Sequence, residues 1–196
     1  MNAVLLRQWR DSDFGPFFEM NTDPEVMRYF PAAMTAKEAR DSFERVRKGI
    51  EERGWGVWAV DVDGAFAGMA GLSTPRFDAP FMPCTEILWR LRREFWGRGV
   101  ARAAAEQALD YGFAGLGLSE IVAFTAAVNL RSIRLMERLD FKRDMGGDFD
   151  HPALPPGHWL RGHVLYRRRR PLRAPNAAPA SGGAVRALAN PRKAYR

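Results

Sequence analysis

Apolar positions change rhythm several times along the chain, and each change marks an element. Val4 to Trp9 is dense enough in apolar residues for a short opening strand. Phe14, Phe17, Phe18 and Val26 then fall at broken helical intervals, so the stretch through Tyr29 reads as partly helical. Asp11-Ser12-Asp13 supplies N-cap chemistry for it, Asp23-Pro24 a second start, and Phe30-Pro31 a stop. Phe43, Val46 and Ile50 share one face of a helix that begins at a Thr35-x-x-Glu38 capping box, runs to about Glu52 and ends before Gly54.

Strand character follows. Trp55 to Val62 and Phe66 to Leu72 flank Asp63-Gly64, a pair suited to a tight hairpin turn. Ser73 to Pro83 is loop. Glu86-Ile87-Leu88-Trp89-Arg90-Leu91 alternates, with Ile87, Trp89 and Leu91 on one side and Leu88 and Arg90 on the other. An Ala-rich helix from about Gly99 to Phe113 comes next, then a strand at Ile121 to Thr125 and a helix at Asn129 to Leu139. Phe141 to Phe149 is strand or loop, and Trp159 to Tyr166 a closing strand. The order predicts an α/β fold with a mixed sheet and helices packed on it, not a run of alternating βαβ units.

Composition narrows the picture. The 196 residues suit one domain, 1–170, and an extension, 171–196, that is Ala, Pro, Gly and Arg without apolar periodicity and reads as a disordered or linker-like basic tail. A hydrophobic fraction of 46%, with six Trp and thirteen Phe, can fill a core. The net charge of +7 suggests a polyanion partner until it is located. Nine basic residues and no acidic one lie between Arg167 and Arg196, and subtracting those nine leaves residues 1–166 at about −2. Cys84 is the lone cysteine, which excludes a disulfide framework or thiolate zinc site within one chain and reads as a buried thiol. No basic-led apolar segment opens the chain, and no run nears the roughly 18 apolar residues of a membrane span. The expectation is a soluble protein of a reducing cytoplasm, monomer or homodimer, with no membrane partner and no metal; the spacing of His151, His158 and His163 does not suit one.

Candidate chemistry concentrates in Phe95-Trp96-Gly97-Arg98-Gly99-Val100-Ala101, between a strand and a helix. Gly97 and Gly99 permit a tight bend without a Cβ facing a ligand. The following helix offers unpaired N–H groups and a positive dipole end, and Arg98 and Arg102 add charge. Together these make an anion site suited to a pyrophosphate, or simply a glycine turn from strand to helix. No Gly-Lys-Ser/Thr follows, so it is not a P-loop, and Gly97-x-Gly99-x-x-Arg102 lacks the third small residue of the dinucleotide fingerprint.

Glu86 to Leu91 followed by Phe95 to Ala101 resembles the cofactor motif of the GNAT N-acetyltransferase superfamily, Arg/Gln-x-x-Gly-x-Gly/Ala, here Trp96-x-x-Gly99-x-Ala101. Trp at the first position departs from that pattern and is similar to the ribosomal-protein N-acetyltransferase branch of the RimJ/RimL kind, where Trp-Gly-x-Gly is usual. Leu5 to Arg10 with Asp13, Asp23 to Tyr29, and Asn129-x-x-Ser132 through Phe141 resemble further segments of that branch. Asp140 stands where the last of these usually has Gly, a residue that tolerates left-handed backbone better than most. The resemblance covers roughly residues 4–168.

The resemblance implies the GNAT fold, a mostly antiparallel twisted sheet whose splayed central strand binds coenzyme A. It implies acetyl transfer from acetyl-CoA to a primary amine, a protein N-terminus or a small molecule, by direct attack. Backbone of Trp89 and Leu91 would bind pantetheine; Trp96, Gly97, Arg98, Gly99, Val100, Ala101 and Arg102 would hold the pyrophosphate. Asn129 and Ser132 would reach the cofactor, or Asn129 would only cap its helix. Glu86 is the candidate general base, or else a solvated strand-end carboxylate. Many members place a Tyr general acid where this chain has Met136, which leaves Ser132 or Tyr166 to assist the leaving thiolate. Arg131, Arg134 and Arg138 share a face that is solvated or meets CoA phosphates, and the loop from Phe149 to His158 lines the acceptor site. Two other functions stay open: a CoA-binding regulator without catalysis, and a ribosome- or RNA-docking module acting weakly through Arg167-Arg168-Arg169-Arg170.

Overall fold

The computed structural model describes residues 3–171, so the extension expected after Pro171 lies outside the described residues. Strand β1 (Val4–Arg7) leads through a 3-10 turn at Asp11–Asp13 into helix α1 (Phe14–Thr22). A second 3-10 turn, Met27–Tyr29, precedes helix α2 (Ala36–Arg53). Strands β2 (Val57–Val62), β3 (Ala65–Ser73) and β4 (Glu86–Leu91) follow, then α3 (Val100–Asp110) with a π turn at Tyr111–Gly115. Strand β5 (Glu120–Ala126), helix α4 (Leu130–Arg138), the short strands β6 (Lys142–Arg143) and β7 (Phe149–Asp150), and β8 (Gly162–Arg169) complete the domain.

Local signals explain most of these boundaries. Thr35 Oγ1 accepts the Glu38 N–H at 3.3 Å while Glu38 Oε2 accepts the Thr35 N–H at 2.8 Å, closing the capping box at the start of α2. Gly54, left-handed at φ 78°, ends it. Thr35→Ala is expected to cost about 1 kcal/mol, read as a Tm shift of a few degrees. Asp63 (φ 53°) and Gly64 (φ 88°) make the turn between β2 and β3. Asp140 is left-handed at φ 60°, and the Phe141 N–H returns to Met136 O at 3.1 Å, so the helix stop survives without glycine.

Two expectations need correction. Asp13 does not cap α1 with its side chain: its carboxylate is buried against the Arg7 guanidinium at 2.7 and 2.9 Å, and Asp61 takes the Arg7 Nε–H at 2.7 Å. A buried aspartate needs a cation more than it needs a helix end. The closing strand begins at Gly162, not Trp159, because Trp159 and Leu160 fold into a turn whose Leu160 fills a small second core with Ala126 and Leu154. It runs on through Arg169, which draws the arginine block into the sheet. Arg167 pairs with Glu120 at 2.7 Å and Asp144 at 2.6 Å, Arg169 reaches Glu120 at 3.5 Å, and Arg170 donates to Leu118 O at 2.9 Å. The fold thus engages charges that composition assigns to the tail.

The strands form one sheet in the order β1-β2-β3-β4-β5-β8-β6, with β7 beside β8. All neighbours are antiparallel except β4 and β5. That parallel pair touches at one register point, Glu86 opposite Val122, with the Val122 N–H on Thr85 O at 2.9 Å, and the two strands diverge toward Leu91. The gap falls in the middle of the sheet. On one face lie α1 and α2, locked by Trp9, Phe17, Phe43 and Phe66 with ring centroids 5.3–5.7 Å from Trp9. On the other lies α3, where Leu72 and Ile121 close on Gly112.

Candidate active site

The two-residue period of β4 decides what each of its residues offers. The Arg92 N–H bonds Ala67 O at 3.0 Å, and the register continues as Arg90 with Met69, Leu88 with Gly71 and Glu86 with Ser73. In an antiparallel ladder the main-chain groups of those residues face β3, so those of Ile87, Trp89 and Leu91 face β5 across the gap. Side chains split the other way. Ile87, whose partner is Leu72, turns to the α3 face, and Leu91 turns with it; Glu86, Leu88 and Arg90 turn to the α1 face.

A cleft of about 1250 Å³ occupies the gap and is lined by residues from both faces of the sheet. At the end of β4 the Trp96 indole N–H donates to Leu91 O at 3.0 Å, which sets the chain for the bend at Gly97 (φ 72°) and Gly99 (φ 77°). No atom lies within 4 Å of where a Cβ at either glycine would sit, and Gly97, Gly99, Val100, Ala101 and Arg102 line the cleft. The first bond of α3 runs from the Ala103 N–H to Gly99 O at 3.0 Å, so the N–H groups of Val100, Ala101 and Arg102 precede it and point out of the helix mouth. This cradle leaves unpaired N–H groups at a helix mouth beside open space, the chemistry an anion needs. Arg98 lies over the Phe95 ring at 5.4 Å, and Arg102 pairs with Glu106 at 2.8 Å.

The opposite wall is α4. Asn129 Oδ1 accepts the Ser132 N–H at 3.3 Å as an N-cap, and its Nδ2 donates to Thr125 Oγ1 at 3.0 Å and Ser132 Oγ at 3.1 Å. Because Ser132 Oγ accepts there, its own proton is free to be given elsewhere. Arg131, Arg134 and Arg138 all line the cleft, and the Arg131 guanidinium covers the Trp96 ring at 4.1 Å. The charged face of α4 therefore borders the cradle. Met136 is buried and lines the cleft. Tyr166 does not: its hydroxyl donates to Glu137 Oε1 at 3.2 Å, which removes it as a partner for a leaving group.

Glu86 sits where β4 and β5 part. Burial pushes its carboxyl up to about 7, with the Ser73 hydroxyl pulling the other way. Such a group is part carboxylate at neutral pH, the state a proton acceptor needs. Cys84 nearby is pushed up to about 11 by burial and then by Glu86, so it stays a thiol.

Beyond Glu86 the α1-side half of the cleft is aromatic and compact, with Tyr29, Phe30, Phe124, Leu154, Leu160, His151 and His163 among its walls. The two imidazoles lie 4.9 Å apart between centroids. His163 Nδ1 faces Arg161 O at 3.1 Å and must donate to it, while His151 Nδ1 accepts the Ala153 N–H at 3.3 Å. Burial holds both rings below their ordinary range, and for His163 the neighbouring His151 adds to this. The sequence reading placed this loop near the acceptor but missed the pair, and it set Arg90 with Leu88 on one face of the strand without giving it a role. An arginine inside an otherwise apolar strand was the available signal. Among the described residues no cluster of three or more His, Cys, Asp or Glu is gathered around a metal position, and no helix is long and apolar enough to cross a membrane.

Comparison with known proteins identifies the family and agrees with the fold. A family model described as an acetyltransferase (GNAT) domain matches residues 3–142. The chain is 26% identical over 156 residues to YnaD of Bacillus subtilis, an uncharacterized N-acetyltransferase, covering 79% of this chain and 86% of that one. A GNAT-family acetyltransferase from Bacillus anthracis has the same fold, with a TM-score of 0.67 at 23% identity, covering 86% of this chain and 98% of that one. The acetyltransferase yncA of Salmonella typhimurium, solved with its cofactor acetyl-CoA, gives a TM-score of 0.64 at 20% identity, covering 90% of this chain and 100% of that one.

Proposed function

The chain belongs to the GNAT acetyltransferase family and is an acetyl-CoA-dependent N-acetyltransferase, and from that premise we propose that Glu86, the Gly97–Gly99 bend and Ser132 carry its reaction with a primary amine. The observation that carries the proposal is the cradle itself. Two left-handed glycines with open space at their Cβ positions face a helix mouth, beside a strand whose main-chain groups at Trp89 and Leu91 turn into the gap. The diphosphate of acetyl-CoA binds the N–H groups from Gly97 to Arg102, with Arg131 and Arg134 on the facing wall. The pantetheine arm adds to β4 as an extra strand would, through Trp89 N–H and C=O and the Leu91 N–H, since Leu91 O is already held by Trp96.

The thioester then lies near the parting of the strands, with the amine entering from the α1 face. Glu86 takes the ammonium proton, directly or through water. The free amine attacks the acetyl carbonyl, the tetrahedral adduct collapses, and the C–S bond breaks. Ser132, whose oxygen accepts from Asn129, gives its proton to the departing sulfur in place of the tyrosine this chain lacks at Met136. The second proton shed by the acylated nitrogen returns through water to Ser132, so that the serine ends neutral. The products are the amide and the free thiol, and Glu86 releases its own proton to solvent. Membership of the RimJ/RimL-like branch is a finer reading supported by Trp96-Gly97-x-Gly99, and the domain is read as 1–170 with 171–196 as an appendage.

Isothermal calorimetry with acetyl-CoA, followed by thiol release against a panel of amines, tests the assignment. Uptake of one cofactor per chain, with thiol release that depends on the added amine, is the expected result. Absence of coenzyme A uptake by the folded full-length chain would refute it.

A further inference from the structure

Arg90 is a charged side chain next to the last residue of β4, turned to the α1 face, whereas the cradle lies toward α3. It has no carboxylate partner among the described ion pairs. Its Nε is buried and bonds nothing in the protein. The surroundings nevertheless fix it. Nη1 donates to Asn21 Oδ1, and Asn21, fully buried, is itself oriented by its Nδ2–H on Phe17 O at 2.7 Å. The guanidinium carbon lies 3.8 Å from the centroid of the Phe30 ring, which supports one face of the plane. Burial lowers its pKa to about 10, so the group is a cation at neutral pH.

A buried, pre-oriented cation without a counter-charge is costly to the fold, and removing its partner is what makes such a group destabilising. A ligand that brings the counter-charge recovers that cost as binding energy and as selectivity. Phosphates of acetyl-CoA in the cradle lie toward the α3 face, whereas the Arg90 side chain turns to the α1 face. The position left is the acceptor half of the cleft, enclosed by Tyr29, Phe30, Leu154 and Leu160. We propose that the amine acceptor of this enzyme is a small molecule that also carries a carboxylate, and that Arg90, which lines the cleft and is oriented by Asn21 and Phe30, binds that carboxylate with its guanidinium. Glu86 stands four residues back along β4 on the same face, and both residues line the cleft. This rests on the acetyltransferase reading above and narrows its acceptor.

The test pairs each amino acid with its methyl ester and its decarboxylated amine as acceptors, with acetyl-CoA as donor and thiol release as readout. At least one free amino acid is expected to exceed both partners by about 30-fold in kcat/KM. Arg90→Met should lower kcat/KM for that amino acid by about 30-fold while the Kd for acetyl-CoA, by calorimetry, stays within about twofold; Arg90→Lys should recover part of the loss. Tm should hold or rise in Arg90→Met, since the change removes an unpaired buried charge. Esters or decarboxylated amines accepted as well as the acids, or an Arg90→Met enzyme that keeps the discrimination, would overturn the inference. A peptide with an acidic side chain that outperforms every free amino acid would overturn it too. Because acetyl-CoA uptake is measured separately, failure of the acceptor assignment is distinguishable from failure of the enzyme assignment.

Discussion

Glu86→Gln is expected to lower kcat/KM about 10³-fold at pH 8 and to abolish the rise of rate with pH that the parent shows through about 7. Gln keeps the shape and can still face Ser73, but it cannot take a proton. With Glu86 as the proposed base the carboxylate is the active form, so the parent rate is expected to climb as pH passes upward through about 7. The same shift makes an opposite prediction for stability. A carboxyl held at about 7 in the fold, against an ordinary value of 4.5, binds its proton more tightly native than unfolded. Parent stability is therefore greatest below the ordinary value, falls as pH rises from there to about 7, and is flat above. Gln has no such penalty, so the variant should match its parent at pH 4 and exceed it at pH 8, on the order of 2 kcal/mol. Lower activity with higher Tm at alkaline pH is the signature of a group placed for chemistry at the expense of the fold. A Glu86→Gln enzyme with an unchanged kcat/KM–pH profile would remove Glu86 as the base.

Gly99→Val should loosen acetyl-CoA by about 10²-fold or more, because a branched side chain in the cradle blocks the approach of the diphosphate to the N–H groups of Val100 to Arg102. The fold itself has room: no atom lies within 4 Å of the new Cβ, and the structural cost is the left-handed φ of 77°, roughly 1–2 kcal/mol. Gly157 provides the control. It too is left-handed, at φ 81°, with open space at Cβ, and it does not line the cleft. Gly157→Val should therefore lower Tm by a similar few degrees while leaving calorimetric uptake of acetyl-CoA unchanged. Equal uptake by the two variants would mean that the bend at Gly99 serves the turn and not the ligand.

Much of this molecule is legible along the chain because its elements end on local chemistry. The Thr35–Glu38 box, the Gly54 stop, the Asp63-Gly64 turn and the Asn129 cap each close a hydrogen bond or relieve a backbone strain within a few residues, so residue types alone reveal them. The β4 boundaries, the glycine bend and the mixed sheet follow from pattern and motif in the same way. Other features depend on partners far off in sequence. Asp13 looks like a cap until Arg7 and Asp61 surround it. The arginine block looks like a tail until Glu120 and Asp144 draw Arg167 into β8. Glu86 gains its basicity from burial where β4 leaves β5, and Arg90 gains its orientation from Asn21, 69 residues away. Sequence by itself determined most of the elements, the family resemblance and the glycine bend before α3. Tertiary structure alone decided which charges are buried, which are paired and which are left facing a ligand, because the free energy of a charge depends on the dielectric and the counter-charges that packing assembles around it.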